Sequence, residues 1–322
     1  MKRTPSHSFT FGIYPGGMSG TDKGLTTGPA DSAQAIENAL RILQGDVPSF
    51  LVRAYIPYKS GRAAVHPTPV QPSQYAKENR LLDLVLCFQS DEEDMSTWKA
   101  FIRDTIRKYG ARLAKLQVTE EANANLPSLD GFYKHSRKAL VEGIVAAKEE
   151  IQTLGLQTIV GFNATPDFNP EKKFWLEIAS LATPAFYDAL DYVGLDFFPD
   201  VFRPIAGEDL EGPITGLIAM FRADIGQAGI RSTIPLHITE NGWPTHHDRT
   251  EQRQAAQLEK IIRIVHRHRE TFHITHYELF ALRDADSNVQ DLFYQFGILR
   301  DDYSPKLAFE MYRKIVAELT IA

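Results

Sequence analysis

Eight short apolar runs alternate with longer amphipathic ones along the chain. The apolar runs are "SFTFGIY" (8–14), "SFLVRAYIP" (49–57), "LLDLVLCFQ" (81–89), "RLAKLQVTE" (112–120), "LQTIVGFN" (156–163), "DYVGLDFF" (191–198), "IPLHITE" (234–240) and "ITHYELFAL" (274–282). Their length and their content of Val, Ile, Leu and Phe predict strands. Helical patterns follow each: one opening at Asp31 as N-cap, a short one over 72–80, then 96–109, 131–154, 172–190, 214–228, 250–271 and 306–319.

Strands that each lead into a helix predict a parallel sheet covered by helices. Eight such units in 322 residues, with no interdomain linker, predict a single (β/α)8 TIM barrel over residues 1–322. The weaker alternative is an open dinucleotide-binding sheet. The loop "YPGGMSGTDKGLTTG" after the first strand matches neither a P-loop nor a GxGxxG fingerprint.

Composition narrows the partners. A net charge of −6 argues against nucleic acid, which needs concentrated Lys and Arg. The basic stretch "RIVHRHRE" (263–270) lies in a helical pattern rich in Glu and Gln and reads as a solvated face. No run of about 18 apolar residues predicts a membrane span. The N-terminal "MKRTPSHSFTFGIYPGG" lacks an apolar leader core, so a soluble, cytoplasmic protein is expected. The one cysteine, Cys87, sits in an apolar strand and reads as an inert buried thiol.

In a barrel of this kind, chemistry sits at the C-terminal ends of the strands. Strand two ends near Arg53 and Tyr55, strand four at Glu120 and Glu121, and strand five at Asn163. Strand six ends at Asp196, Phe197 and Phe198, strand seven at Glu240, and strand eight in "ELFALRDADS". Only strands four and seven end in glutamate, and they face each other across the mouth. Two carboxyls about 5–5.5 Å apart suit a retaining glycosidase, whereas about 6.5–9.5 Å leaves room for an inverting water.

Three segments carry a family resemblance: "VTEEAN" after strand four, "ITENGWPT" at strand seven, and "LRDADSNVQDLFYQFGILRDDYSPKLAFEMYR" in the last unit. Together they resemble clan A of the glycoside hydrolases, TIM barrels with catalytic glutamates after strands four and seven. The resemblance implies that Glu121 is the general acid/base and Glu240 the nucleophile of a retaining mechanism. It also places Arg53 near the nucleophile; an ion pair of Arg53 with Glu278 is an equal and compatible reading. Glu120 stands where the family has an Asn that holds the sugar, and Phe198 where it often has a Tyr bonded to the nucleophile. Phe280 is the counterpart of an aromatic sugar platform.

Arg53, Glu120, Asn163, Phe198, Trp243 and Arg283 are therefore the candidate substrate-binding residues. Trp243 either stacks on a sugar or packs its loop. Arg283, Asp284 and Asp286 either bind hydroxyls or pair with one another. Trp98 and Trp175 read as packing residues, and His246–His247–Asp248 as a solvated loop without zinc-ligand spacing.

The expected partner is a carbohydrate, with no metal, no cofactor, no nucleic acid and no membrane, and with the oligomeric state open. The competing reading is a carbohydrate-binding or scaffold barrel whose catalysis Glu120 and Phe198 impair. A metal-dependent or phosphosugar barrel enzyme ranks last.

Overall fold

A computed structural model describes residues 9–58, 68–207 and 209–320. Eight parallel strands close into a barrel in chain order. They are β1 (Thr10–Ile13), β2 (Phe50–Pro57), β3 (Arg80–Cys87), β4 (Leu113–Val118), β5 (Ile159–Ala164), β6 (Tyr192–Asp196), β7 (Leu236–Asn241) and β8 (Ile274–Leu279). Every predicted strand is present, although Ser8 of the first prediction and residues 1–8 of the N-terminal segment read for a leader lie outside the described residues. The described helices include none long and apolar enough to cross a membrane.

The helical layer departs from the prediction in local ways. Where a short helix is expected over 72–80, the described residues form a single 3-10 turn (Pro72–Tyr75). The first helix, α1 (Ala33–Gln44), is capped by Ser32, whose side chain accepts from the Ala35 N–H at 3.3 Å, one residue beyond the expected Asp31. The 172–190 stretch divides into Lys173–Leu181 and Pro184–Ala189, because Pro184 fits the first turn of a new helix with Thr183 as its cap. The basic face of 263–270 is paired outward: Arg263 meets Glu318 at 2.8 Å and Arg267 meets Glu211 at 2.6 Å.

Alternation along the strands gives the barrel two unlike surfaces. Leu82, Leu84, Leu86, Leu116, Val118, Val160, Phe162, Val193, Leu195 and Ile238 are buried in the apolar core with the helices. The opposite parity carries Arg53, Asp83, Lys115, Gln117, Asn163, His237 and Glu278, all buried. TIM-barrel interiors are usually filled by branched aliphatics, but this one is charged. Small residues make the room: a Cβ on Gly12 would sit 2.9 Å from the Glu278 side chain. One on Gly194 would sit 2.6 Å from the Thr239 hydroxyl.

Inside the barrel, Asp83 accepts from Arg53 at 2.7 Å and from Lys115 at 3.1 Å, and Lys115 also pairs with Glu278. Burial opposes ionisation of Asp83, but Lys115 and Arg53 outweigh it and hold the carboxyl down at about 2. Burial and the nearby Asp83 charge push Glu278 up to about 8. Desolvating such ions costs several kcal/mol each, so the network persists only because its charges are paired.

Candidate active site

Two backbone irregularities aim the glutamates. On β7, His237 pairs with Gly194 and Ile238 with Leu195, but Asp196 pairs with Glu240. On the other side, Tyr277 pairs with Ile238 while Leu279 pairs with Asn241. Thr239 is thus an extra residue, a bulge. Glu240 shares its parity with the outward-facing Ile238, and regular pairing would turn it toward the helices. The bulge turns it into the barrel mouth.

On β4, Gln117 is the last regular inward residue. Thr119 and Glu121 both take positive φ, 68° and 43°, which is strained for a β-branched residue. The chain rolls there, and Glu120 and Glu121 reach the same space although neighbours in a regular strand face opposite ways. Asp130 anchors the turn: its carboxylate accepts from the backbone N–H groups of Glu120 (2.8 Å), Phe88 (2.9 Å) and Gln89 (3.1 Å). The Glu121 N–H donates to Asn163 Oδ1 at 2.8 Å.

Carboxylate oxygens of Glu120, Glu121, Asp196 and Glu240 lie within 4.8 Å of one another. The Arg53 guanidinium is 3.6 Å from both Glu120 Oε2 and Glu240 Oε1, and donates to Gln117 at 2.9 Å. Tyr55 receives the Arg53 Nε–H at 3.0 Å and donates its hydroxyl to Glu240. Glu120 Oε2 accepts from Gln117 Nε2 at 2.7 Å and Asn163 Nδ2 at 3.2 Å. Asp196 accepts from the Thr239 hydroxyl at 2.6 Å and from Asn163 Nδ2.

Like charges this close cannot all ionise. Burial, then Asp196 and Glu240, push Glu121 well above the ordinary carboxyl range, and its hydrogen bond to Asp196 keeps the proton on Glu121. Burial, Glu240 and Asp196 push Glu120 up in the same way. Burial and Glu240 raise Asp196 to about 8. Burial also raises Glu240, but Arg53, the Tyr55 hydroxyl and a hydrogen bond with Glu120 favour its charged form. One carboxylate is thus supported as an anion beside neighbours that hold protons. The same four groups, three of them buried and Glu121 partly so, have the spacing to hold a metal ion. Their all-carboxylate donors would suit a hard cation.

Glu121, Glu240, Arg53, Glu120 and Asn163 come together as the sequence suggests, with Asn163 positioning Glu121 through its backbone. Three readings that the sequence left open are told apart by the contacts. Arg53 pairs within 4 Å with Asp83, Glu120 and Glu240, whereas Glu278 pairs with Lys115. Trp243 is fully buried with the Arg249 and Arg253 guanidiniums 4.8 and 5.2 Å from its ring centre, so it packs the loop and presents no face to a sugar. Arg283 is held by Asp31 at 2.8 Å and by the carbonyls of Pro29 (2.7 Å) and Asp284 (2.9 Å), which leaves it structural.

The remaining sequence candidates take less central places. Asp284 is engaged by Lys306 at 2.7 Å, and Asp286 closes a turn on Asn288. Phe198 is half-buried against Phe202, Phe280 and Phe296. One face of Phe280 is stacked on Tyr14, their ring centres 5.1 Å apart. Trp98 and Trp175 are core residues and Cys87 is buried, its thiol pushed up by burial. His246 bonds Asp248 at 3.0 Å and His247 at 3.3 Å on a surface loop.

Sequence reading did not select Tyr55, Gln117 or Asp196 as site residues. The available signal was parity: Tyr55 and Gln117 lie two residues from Arg53 and Lys115 on the same strand faces, and Asp196 ends its strand.

The fold is a TIM barrel, and solved structures that share it include glycoside hydrolases. A family 39 glycoside hydrolase from Bacteroides cellulosilyticus WH2 superposes with a TM-score of 0.62 at 14% identity, over 96% of this chain and 64% of that one. A β-glucuronidase from Lactobacillus rhamnosus gives 0.58 at 16% identity, over 97% and 50%. A β-glucosidase gives 0.59 at 13%, over 89% and 88%. The chain therefore spans less than two thirds of the first two. No family model and no curated protein matches the sequence.

Proposed function

We propose that this protein is a retaining glycoside hydrolase in which Glu240 is the nucleophile and Glu121 the general acid/base. The observation that carries this reading is the placement of their carboxylate oxygens within 4.8 Å, at the ends of β7 and β4. Oxygens that close support the close carboxyl pair of a double displacement.

The proton distribution supports the same roles. A Glu240 oxygen attacks the anomeric carbon while the bond to the leaving oxygen breaks and Glu121 delivers its proton there. In the second half, Glu121 removes a proton from water, the water oxygen bonds to the anomeric carbon, and Glu240 departs as a carboxylate. Arg53 and Tyr55 stabilise Glu240 as the charged form both before attack and on departure. Asp196 and Asn163 hold Glu121 through its side chain and its backbone.

The experiment is trapping with a panel of activated 2-deoxy-2-fluoro glycosides followed by peptide mass analysis. The adduct is expected on the peptide containing Glu240 and is lost in Glu240→Gln. An adduct on Glu120 or Glu121 would reverse the roles. Sugar binding without adduct or turnover would favour the carbohydrate-binding reading, which the extra carboxylate of Glu120 beside the nucleophile motivates.

A further inference from the structure

We propose that the hairpin after β1 is a strap that gates the barrel mouth, and that its tip leaves Ser128 to admit a ligand to Glu121 and Glu240. The inference concerns entry, and it holds whether the site hydrolyses sugars or only binds them.

The strap is built from residues 16–28. Gly20–Thr21 pairs antiparallel with Gly24–Leu25. Behind that pairing, the Ser19 N–H donates to the Thr26 hydroxyl and the Ser19 carbonyl accepts from the Thr26 N–H, both at 2.9 Å. The Ser19 hydroxyl donates to the Phe293 carbonyl at 2.6 Å, in the loop after β8. Two residues on, the Thr21 carbonyl accepts from the Ser128 hydroxyl at 3.3 Å, in the loop after β4.

The closed order of strands puts β4 and β8 on opposite sides of the barrel. One short strand therefore joins loops that rise from opposite walls, and the strap spans the mouth between them. The groups at that mouth are correspondingly shut off: Glu120 is 5% exposed, Asp196 1% and Glu240 7%.

The two ends of the strap are held unequally. At the base, a Cβ on Gly17 would sit 2.5 Å from the Asp284 carbonyl oxygen, and one on Gly28 1.7 Å from that of Ala285. Backbone packed this closely admits only glycine and fixes the base on the β8 loop. At the tip, Asp22 and Lys23 are exposed, and the β4 loop is met through the long Ser128 hydrogen bond. One neutral hydrogen bond between part-exposed groups is a weak restraint, so the tip opens while the base stays.

The tip also rests on the segment that sets the glutamates. Ser128 lies two residues before Asp130, whose carboxylate holds the Glu120 N–H at 2.8 Å, and its carbonyl accepts from the Gln89 side chain at 2.7 Å.

The Ser128 contact supplies the test. A Cβ on Gly20 would lie 3.4 Å from the Ser128 Cβ, close to the roughly 3.5–4.5 Å that a disulfide spans. The φ of Gly20 is not positive, so cysteine fits there, and Cys87 is buried. The full chain carrying Gly20→Cys and Ser128→Cys is labelled with a water-soluble carbodiimide and glycinamide, once oxidised and once reduced. Mass spectrometry then follows the peptides that contain Glu121 and Glu240, so the readout needs neither turnover nor a known sugar.

Reduced protein is expected to label at both peptides. Oxidised protein should label there about tenfold or more slowly, because only the open state admits the reagent. The exposed Asp104 should label equally in both. Ser128→Ala, which frees the tip, should label both peptides faster than the unaltered chain, and it decides alone if circular dichroism shows the double variant unfolded. Equal rates in the two redox states, no labelling of the reduced protein, a disulfide that does not form in the folded chain, or an unchanged rate in Ser128→Ala overturns the inference.

Discussion

The hydroxyl of Tyr55, on β2, donates to the carboxylate of Glu240, on β7, 185 positions further along the chain. It supplies the contact that Phe198 lacks, from the opposite side of the barrel mouth. Tyr55→Phe removes one hydrogen bond to a charged group, worth about 1.5–3 kcal/mol, and kcat/KM is expected to fall roughly ten- to hundredfold. In its proposed role Glu240 attacks as a carboxylate, and losing a donor to that carboxylate raises its pKa. The acid limb of the pH–rate profile should therefore move to higher pH. An unchanged limb would show that the hydroxyl does not support Glu240.

Asp196 should set the alkaline limb. Its carboxyl hydrogen-bonds Glu121 and helps to hold the proton there. Asp196→Asn removes the negative neighbour, so the pKa of Glu121 falls and activity is lost earlier as pH rises. The measurement is kcat/KM against pH, with thermal unfolding showing that the variant folds. A fall in rate with no movement of the limb would leave Asp196 a packing residue.

Stability should fall between mildly acidic and mildly alkaline pH. Burial raises Asp130 to about 7, Asp196 to about 8 and Glu278 to about 8. A carboxyl raised on folding contributes stability that is fully present below its unfolded value, near 4, and is lost as pH rises through its folded value. Asp83, lowered to about 2, contributes in the opposite sense, and its share disappears on acidification from about 4 toward 2. Thermal unfolding should place Tm higher at about pH 5 than at about pH 8, by roughly 5 °C or more. A flat or rising profile over that interval would contradict the protonated cluster.

Lys115 is fully buried between Asp83 and Glu278. Lys115→Met leaves two carboxyls inside the barrel without that cation and should cost about 3–5 kcal/mol in denaturant unfolding. The double change Lys115→Met with Glu278→Leu should recover part of the loss, because it also removes one of the stranded charges.

Much of the fold was legible because its signal is local. Each strand is an apolar run and each helix a periodic one, and Glu121 and Glu240 could be assigned to strand ends from those patterns alone. What failed locally had local competitors. Ser32 caps α1 because Asp31 is drawn to Arg283, and Pro184 starts a helix inside a stretch that reads as continuous.

By itself the sequence determined the number and order of the barrel strands and which two of them end in glutamate. It did so because burial periodicity needs only neighbouring residues. The tertiary structure decided which side chains meet. Thr239 becomes a bulge only against β6 and β8, and it turns Glu240 inward. Positive φ at Thr119 and Glu121 brings two adjacent glutamates to one mouth. Closure of the barrel then sets Tyr55 and Arg53 against Glu240, far along the chain, and hands Trp243 and Arg283 to packing. These depend on contacts across the barrel, and no local pattern encodes them.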